Sequence, residues 1–342
     1  MSLLFMDSFD HYTGDPGISG VGKWGGGSGA TSTSVSQFRT GTSSLRVGIG
    51  TTITKPVPAS GGCVVGFAMF GAIAFTASND IVQVMEGSVV HVALAMTTGG
   101  LITLKRGATI IATGTTVLAL NSWNYIELKT VIHDTIGTYE VRINGVVEAA
   151  LTATGADTRN VGTTGQWDRV SIGAGTAANN TYIDDFYLCD TSGSIRNDFL
   201  GMVKVECLLP QTDAAAVGSN QGLTPSTGTD HGALVDENPP NTTDYNGSAT
   251  VGVLDTYNYP NMTLSGSVLG VQTNLYAAKS DAGARTIARV IRPSIADYPG
   301  TAVSPNTTFS YHSEIRETNP DTLGDWTVAA INACQFGMKV IS

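Results

Sequence analysis

The chain has 342 residues, with 28 acidic against 18 basic residues and a formal net charge of −10, and no Lys/Arg cluster of the kind a duplex nucleic-acid binder uses to neutralise phosphates. Its length fits two domains better than one, and 42% hydrophobic residues are enough for real cores, which excludes wholesale disorder. With 41 Gly, abundant Ser and Thr and only 13% charged residues, it has the texture of many short strands joined by small-residue turns rather than of a helical protein.

The opening Met1-Ser2-Leu3-Leu4-Phe5-Met6-Asp7 is apolar, but it is too short for a signal peptide and has no basic flank. The expectation is synthesis in a cytoplasm. No run approaches the ~18 apolar residues of a membrane-spanning helix, so no membrane partner is expected. Gly25-Gly26-Gly27-Ser28-Gly29 is followed by neither Lys-Ser/Thr nor a helix, and reads as a loop rather than a phosphate cradle.

Strand-like runs then follow in close succession: 63–70, 80–86, 89–96 and 101–106, separated by Glu86-Gly87-Ser88 and Thr98-Gly99-Gly100. The run 123–132 alternates as a half-buried strand does. In 137–143, Tyr139, Val141 and Ile143 share one face, with Glu140 and Arg142 on the other. Asn144-Gly145 comes next and Val146-Val147-Glu148 resumes, the strongest short hairpin signal, because both central residues of a type I′ turn need φ > 0. Runs at 168–173 and 182–190 close the first half, with no helical periodicity before them.

Residues 191–200 read as a linker or a tight crossing, and the texture then changes. The run 202–209 reads as a strand ended by Pro210, and 211–247 as loop. The runs 271–278 and 284–291 read as a second hairpin through Lys279-Ser280-Asp281-Ala282-Gly283, and 309–315 as a further strand. A short helix fits only 325–332, capped by Asp325 or Thr327, before a last alternating strand at 334–340. The fold class expected is therefore all-β, with two β-sandwich domains at 1–192 and 193–342. The second is smaller and antiparallel, with one short helix near its end.

The first domain resembles the concanavalin-like, laminin-G-type jelly roll. The likeness rests on Met6-Asp7-Ser8-Phe9-Asp10 at the start, on Trp123–Leu128 with the Val141–Gly145 hairpin, and on Tyr182–Leu188 at the end. In such folds the first and last strands pair, which would bring Phe9 near Phe186. The whole chain also resembles a family of tailed-bacteriophage virion proteins. That likeness is carried by Asp7–Tyr12, Ile183–Tyr187, Leu208-Leu209-Pro210, Ala277–Thr286, Tyr311–Pro320 and Asp325-Trp326-Thr327. It implies a structural component of a virion, made in the host cytoplasm and carried on tail, neck, collar or capsid surface as a decoration. It supplies no catalytic residue set.

Candidate sites are few. Asp184 and Asp185, with Asp7 or Asp10, could join backbone carbonyls around calcium, although successive strand side chains point to opposite faces. Turn-capping or pairing with Arg is the commoner use of such residues. Trp24, Trp167 and Tyr12 could stack on a host-surface glycan, although a Trp on a sandwich usually belongs to the core. Cys63, Cys189, Cys207 and Cys334 have neither C-x-x-C nor His spacing for zinc, and read as buried thiols or, in a released particle, as disulfides or cross-links.

Signs of catalysis are missing. None of the five His lies in an H-E-x-x-H motif, and no G-x-S-x-G elbow occurs. Glu127 lacks the acidic neighbours of a glucanase strand, and Glu314 and Glu317 fall on opposite strand faces. The Asn-x-Ser/Thr triplets at Asn241, Asn246 and Asn261 read as polar loops. No enzyme is expected. The expectation is a symmetric oligomer contacting other virion proteins, and the alternative is a glycan- or receptor-binding adhesin module of a tail fibre.

Overall fold

The computed structural model describes residues 2–12, 18, 23–28, 32–48, 50–71, 78–173, 181–214 and 221–342. The chain divides into two compact units, the first comprising Met1–Gly20 and Trp24–Val205, the second Val21–Lys23 and Glu206–Ser342.

The first unit is the expected all-β sandwich. Its strands are β1 (Leu3–Asp7), β2 (Gly26–Ser28), β3 (Ser32–Ser34), β4 (Ser44–Val47), β5 (Thr52–Ser60), β6 (Gly62–Gly71), β7 (Asn79–Glu86) and β8 (Val89–Met96). They continue with β9 (Leu101–Arg106), β10 (Thr109–Val117), β11 (Trp123–Val131), β12 (Gly137–Ile143), β13 (Val146–Ala156), β14 (Trp167–Ile172) and β15 (Thr181–Asp190). One antiparallel sheet runs β13-β12-β11-β6-β15-β4-β3, with β1 added beside β15; the other runs β10-β9-β8-β7-β14-β5-β2.

Period-two alternation builds the core. Phe67, Ile126, Leu128, Val141 and Ile183 from the first sheet, and Val82, Val84, Val92, Leu94, Leu104 and Val170 from the second, are all fully buried. The first and last strands pair, with Asp7 opposite Phe186, as the jelly-roll resemblance implied. Phe9 and Phe186 both pack on Trp24, at ring-centroid distances of 6.0 and 5.4 Å. The Asn144-Gly145 turn has φ of 52° and 80°, the signature of the expected hairpin.

Four sequence readings change here. Strand β10 was not anticipated; it forms the sheet edge and shows no clean alternation, being mostly exposed or half-buried. Gly26–Ser28 is not loop but a short strand on β5; Gly29 lies outside the described residues. Residues 193–205 belong to the first unit, so the boundary expected at 192/193 falls at 205/206. The 202–209 run forms no strand, because its backbone groups go to side chains of the sandwich instead of a ladder: Val205 N–H donates to Asp185 Oδ1, and Val203 O accepts from Arg39 Nη1.

The second unit is smaller. Its strands are β16 (Thr212–Asp213), β17 (Thr224–Pro225), β18 (Asn246–Gly247), β19 (Leu254–Asn258), β20 (Val271–Ala277), β21 (Ile287–Arg292), β22 (Tyr298–Pro299), β23 (Ser310–Arg316) and β24 (Gln335–Val340). A sheet in the order β16-β19-β24-β21-β22 is accompanied by two ribbons, β17-β18 and β20-β23. The hairpin expected across 279–283 does not form. Strand β20 pairs with β23 and β21 with β24, so chain neighbours enter different sheets. The helix, α1 (Val328–Ala333), is capped by Thr327, whose side chain accepts from Ala330 N–H. Ile291, Trp326, Ile331, Cys334 and Phe336 form a core cluster beside it.

Candidate functional site

The outward face of the first sheet in the first unit carries its densest polar chemistry. Along β15 the register slips between Asp184 and Tyr187, and Asp185 has a φ of 50°. This bulge overrides the alternation that would set the two carboxylates on opposite faces. Both meet the same loop. Asp184 Oδ2 accepts from the N–H groups of Arg39 and Thr40, at 2.7 and 3.2 Å. Asp185 Oδ1 accepts from Thr40 Oγ1 at 2.5 Å, and its Oδ2 pairs with Arg39 Nη1 at 2.5 Å.

Glu127 lies further along that face, opposite Gly66 on β6. Its Oε1 accepts from Tyr187 Oη at 2.6 Å and from Gly201 N–H at 2.9 Å, while Oε2 is buried without a hydrogen-bond partner. Tyr187 lies where a Cβ on residue 66 would stand, which explains the glycine there. The segment 198–205 is strapped over these groups. Leu200 N–H donates to Tyr187 Oη, Lys129 pairs with Asp198 at 3.0 Å, and the Arg142 guanidinium sits 3.9 Å from the Phe199 ring centroid.

Three carboxylates are thus 0% exposed on this face, and of them Asp185 alone pairs with the Arg39 guanidinium. Burial and then the neighbouring Asp185 charge raise the Asp184 carboxyl from 3.8 to about 8. Burial likewise pushes the Tyr125 and Tyr187 hydroxyls well above the ordinary tyrosine value. The arrangement locks a loop and a strap onto a sheet, and none of the three carboxylates offers a face to a substrate.

The residues singled out from sequence fall as follows. Asp7 is buried, accepting from Phe9 N–H, Tyr12 Oη and Trp24 Nε1, the last at 2.7 Å. The oxygens of Asp7, Asp184 and Asp185 are thus committed to protein donors, and among the described residues no group of three or more His, Cys, Asp or Glu could hold a metal.

Trp24 and Trp167 are both 0% exposed, and Trp167 Nε1 donates to Gly62 O. Rings buried in this way belong to the core, the commoner use of a Trp on a sandwich. All four cysteines are thiols; Cys63, Cys189 and Cys334 are buried and Cys207 is half-buried. Burial raises the Cys63 thiol well above its ordinary value and Cys334 to about 12, which disfavours the reactive thiolate at both.

Sequence reasoning missed one pair in the second unit. His231 Nδ1 lies 2.6 Å from Asp255 Oδ2, and Asp255 is 0% exposed. Asp255 Oδ2 also accepts from Tyr257 Oη, and the Asn246 amide donates to both Tyr257 Oη and His231 O. This ring ties the long 221–247 loop to β19. Nothing in the spacing signalled it, since partners 24 residues apart share no motif.

Several apolar side chains of the first unit are exposed, three of them around the β12–β13 turn and the strap. Val146 is 70% exposed, Val147 46% and Met202 53%, and a Cβ on Gly145 would stand 4.0 Å from Met202 Cε. The tip of the β12–β13 hairpin and the strap thus present apolar side chains beside one another.

No family model matches the chain, and no curated protein matches it. Among solved structures, the alginate lyase Aly36B is 11% identical with a TM-score of 0.41, over 55% of this chain and 96% of that one. A sialidase is 13% identical with a TM-score of 0.41, over 56% of this chain and 19% of that one. Trypanosoma rangeli sialidase is 13% identical with a TM-score of 0.34, over 47% of this chain. The matched region spans 27% of the Trypanosoma rangeli enzyme. The sandwich stands on its own strand order and register, and the chemistry of these enzymes does not pass to this chain.

Proposed function

We propose that the protein is a non-enzymatic structural component of a bacteriophage particle, an accessory of tail, neck, collar or capsid surface that works through protein–protein contacts. The observation that carries this reading is the division of labour in the first unit. Asp7, Asp184, Asp185 and Glu127 are buried and accept from internal donors, while Val146, Val147 and Met202 are exposed around the tip of one hairpin. Exposed apolar side chains gathered at a rigid hairpin suit a contact that buries them against another subunit. Many copies would make a modest contact strong. The virion family is proposed from the sequence motifs quoted above.

The adhesin alternative loses its two aromatic anchors, Trp24 and Trp167, to the core. The test is co-purification. Wild-type protein should band with intact particles, and a Val146→Ser, Val147→Ser, Met202→Ser variant that folds normally should be lost from them. Retention of the folded variant at wild-type copy number would rule out this face as the contact.

A further inference from the structure

Among the described residues, strands β20 and β23 pair with each other and with no further strand, so no ladder ties this ribbon to the five-stranded sheet. Side chains hold it instead. At one end Val271 packs against the core cluster of Ile291 and Trp326. Further along, the hold is polar. Arg289 on β21 is 3% exposed. Its guanidinium meets Glu314 Oε2 on β23 at 3.2 Å and donates through Nη2 to Thr301 O at 3.0 Å. Glu314 Oε1 in turn accepts from the Thr301 N–H and hydroxyl. The remaining guanidinium nitrogen, Nη1, is buried without a hydrogen-bond partner.

Strand β23 keeps one register with β20 from Ser310 to Arg316, so His312 and Glu314 leave the ribbon on the same face. His312 Nε2 is a second buried atom without a partner. The two atoms are complementary. Arg289 Nη1 can only donate, and Nε2 of a neutral imidazole protonated at Nδ1 can only accept. Protonation turns Nε2 into a donor, and two cations are then left with one carboxylate. Burial first, and the Arg289 charge second, hold the His312 imidazole below its ordinary value of 6.5.

The other groups on these faces add no counter-charge. Leu275 lies opposite His312 on β20, flanked on that face by Thr273 and Ala277. On β23 itself Ser310 and Arg316 share the face, and Arg316 adds a further positive charge. Met338 lies opposite Arg289 on β24, and Asp255, opposite Met338 on β19, is paired with His231.

We propose that His312 and Arg289 form an acid-released clasp, which holds the β20–β23 ribbon on the sheet while the imidazole is neutral and lets it lift when the imidazole is protonated. A lifted ribbon takes up the proton at an ordinary imidazole. The clasp is therefore complete above about 6.5 and weakens as pH falls below it. It is independent of the particle contact proposed above.

Hydrogen exchange of the full chain, read by mass spectrometry at about pH 7.5 and about pH 5 and corrected for intrinsic rates, tests the clasp. Protection of 271–277 and 310–316 should fall on acidification, by up to ~10-fold per pH unit for one proton, while that of 335–340 should hold. His312→Gln keeps a polar side chain that does not titrate, and should leave the ribbon equally protected at both values. Wild-type ribbon protection that is the same at both, or an undiminished fall in His312→Gln, would overturn the proposal. If His312→Gln fails to fold by circular dichroism, the assigned His312 imidazole resonance of the wild type decides. A titration midpoint below 6.5 is expected, and one at or above 6.5 overturns the clasp.

Discussion

At the scale of single residues, buried groups decide how the first unit responds to acid and base. Asp184 keeps its proton up to about 8 in the folded chain but releases it near its ordinary 3.8 when unfolded. The folded state therefore binds more protons between those values, and stability falls as pH rises from about 4 to 8. The slope from this one group is at most about 1.4 kcal/mol per pH unit. Asp184→Asn should flatten that slope, as read by urea unfolding at pH 5, 6.5 and 8; an unchanged slope would reassign the titration.

Glu148 works in the opposite sense. Hydrogen bonding from the Thr116 side chain first, then from the Thr115 hydroxyl and the Thr115 and Thr116 N–H groups, outweighs burial and holds its carboxyl below the ordinary value. Its contribution is present above the unfolded carboxyl value and lost as pH falls through the lowered one. Gly66 is a third such position. Gly66→Ala should cost roughly 1–3 kcal/mol, because Tyr187 fills the space a Cβ needs and is itself held by Glu127.

Elements were legible in the sequence where alternation or turn chemistry was strong. Strands β6–β9, β11 and β12 and the Asn144-Gly145 turn follow directly from those signals. Strand β10 was missed because an exposed edge needs no apolar face. The 202–209 run misled because its apolar side chains suggest a strand, while its backbone is claimed by Asp185 and Arg39. The buried Asp184–Asp185 pairing was illegible for a related reason: a bulge of one residue reverses the face on which a side chain falls. Burial of Trp24 and Trp167 likewise depends on contacts far apart in sequence, Asp7 for one and Gly62 for the other.

The strap is the element whose role is most easily separated. A fragment of residues 1–205 should fold as a more stable unit than one of 1–192, which would leave Glu127, Asp185 and Tyr187 without the donors at Gly201, Val205 and Leu200. Losing those partners should cost several kcal/mol, at about 1–3 for each buried acceptor left open. Equal melting temperatures for the two fragments would show that the strap rests on the sheet without stabilising it.

For the whole molecule, the buried carboxylates of the first unit and the exposed apolar residues at its β12–β13 hairpin support the proposal of a protein that works through its surfaces. The most direct measurement is an image reconstruction of the intact particle at a resolution that places side chains. The account expects the protein at fixed, symmetry-related positions, with Val146, Val147 and Met202 buried against a neighbouring subunit. Particles that are complete without the protein, or that carry it with this corner facing solvent, would contradict it.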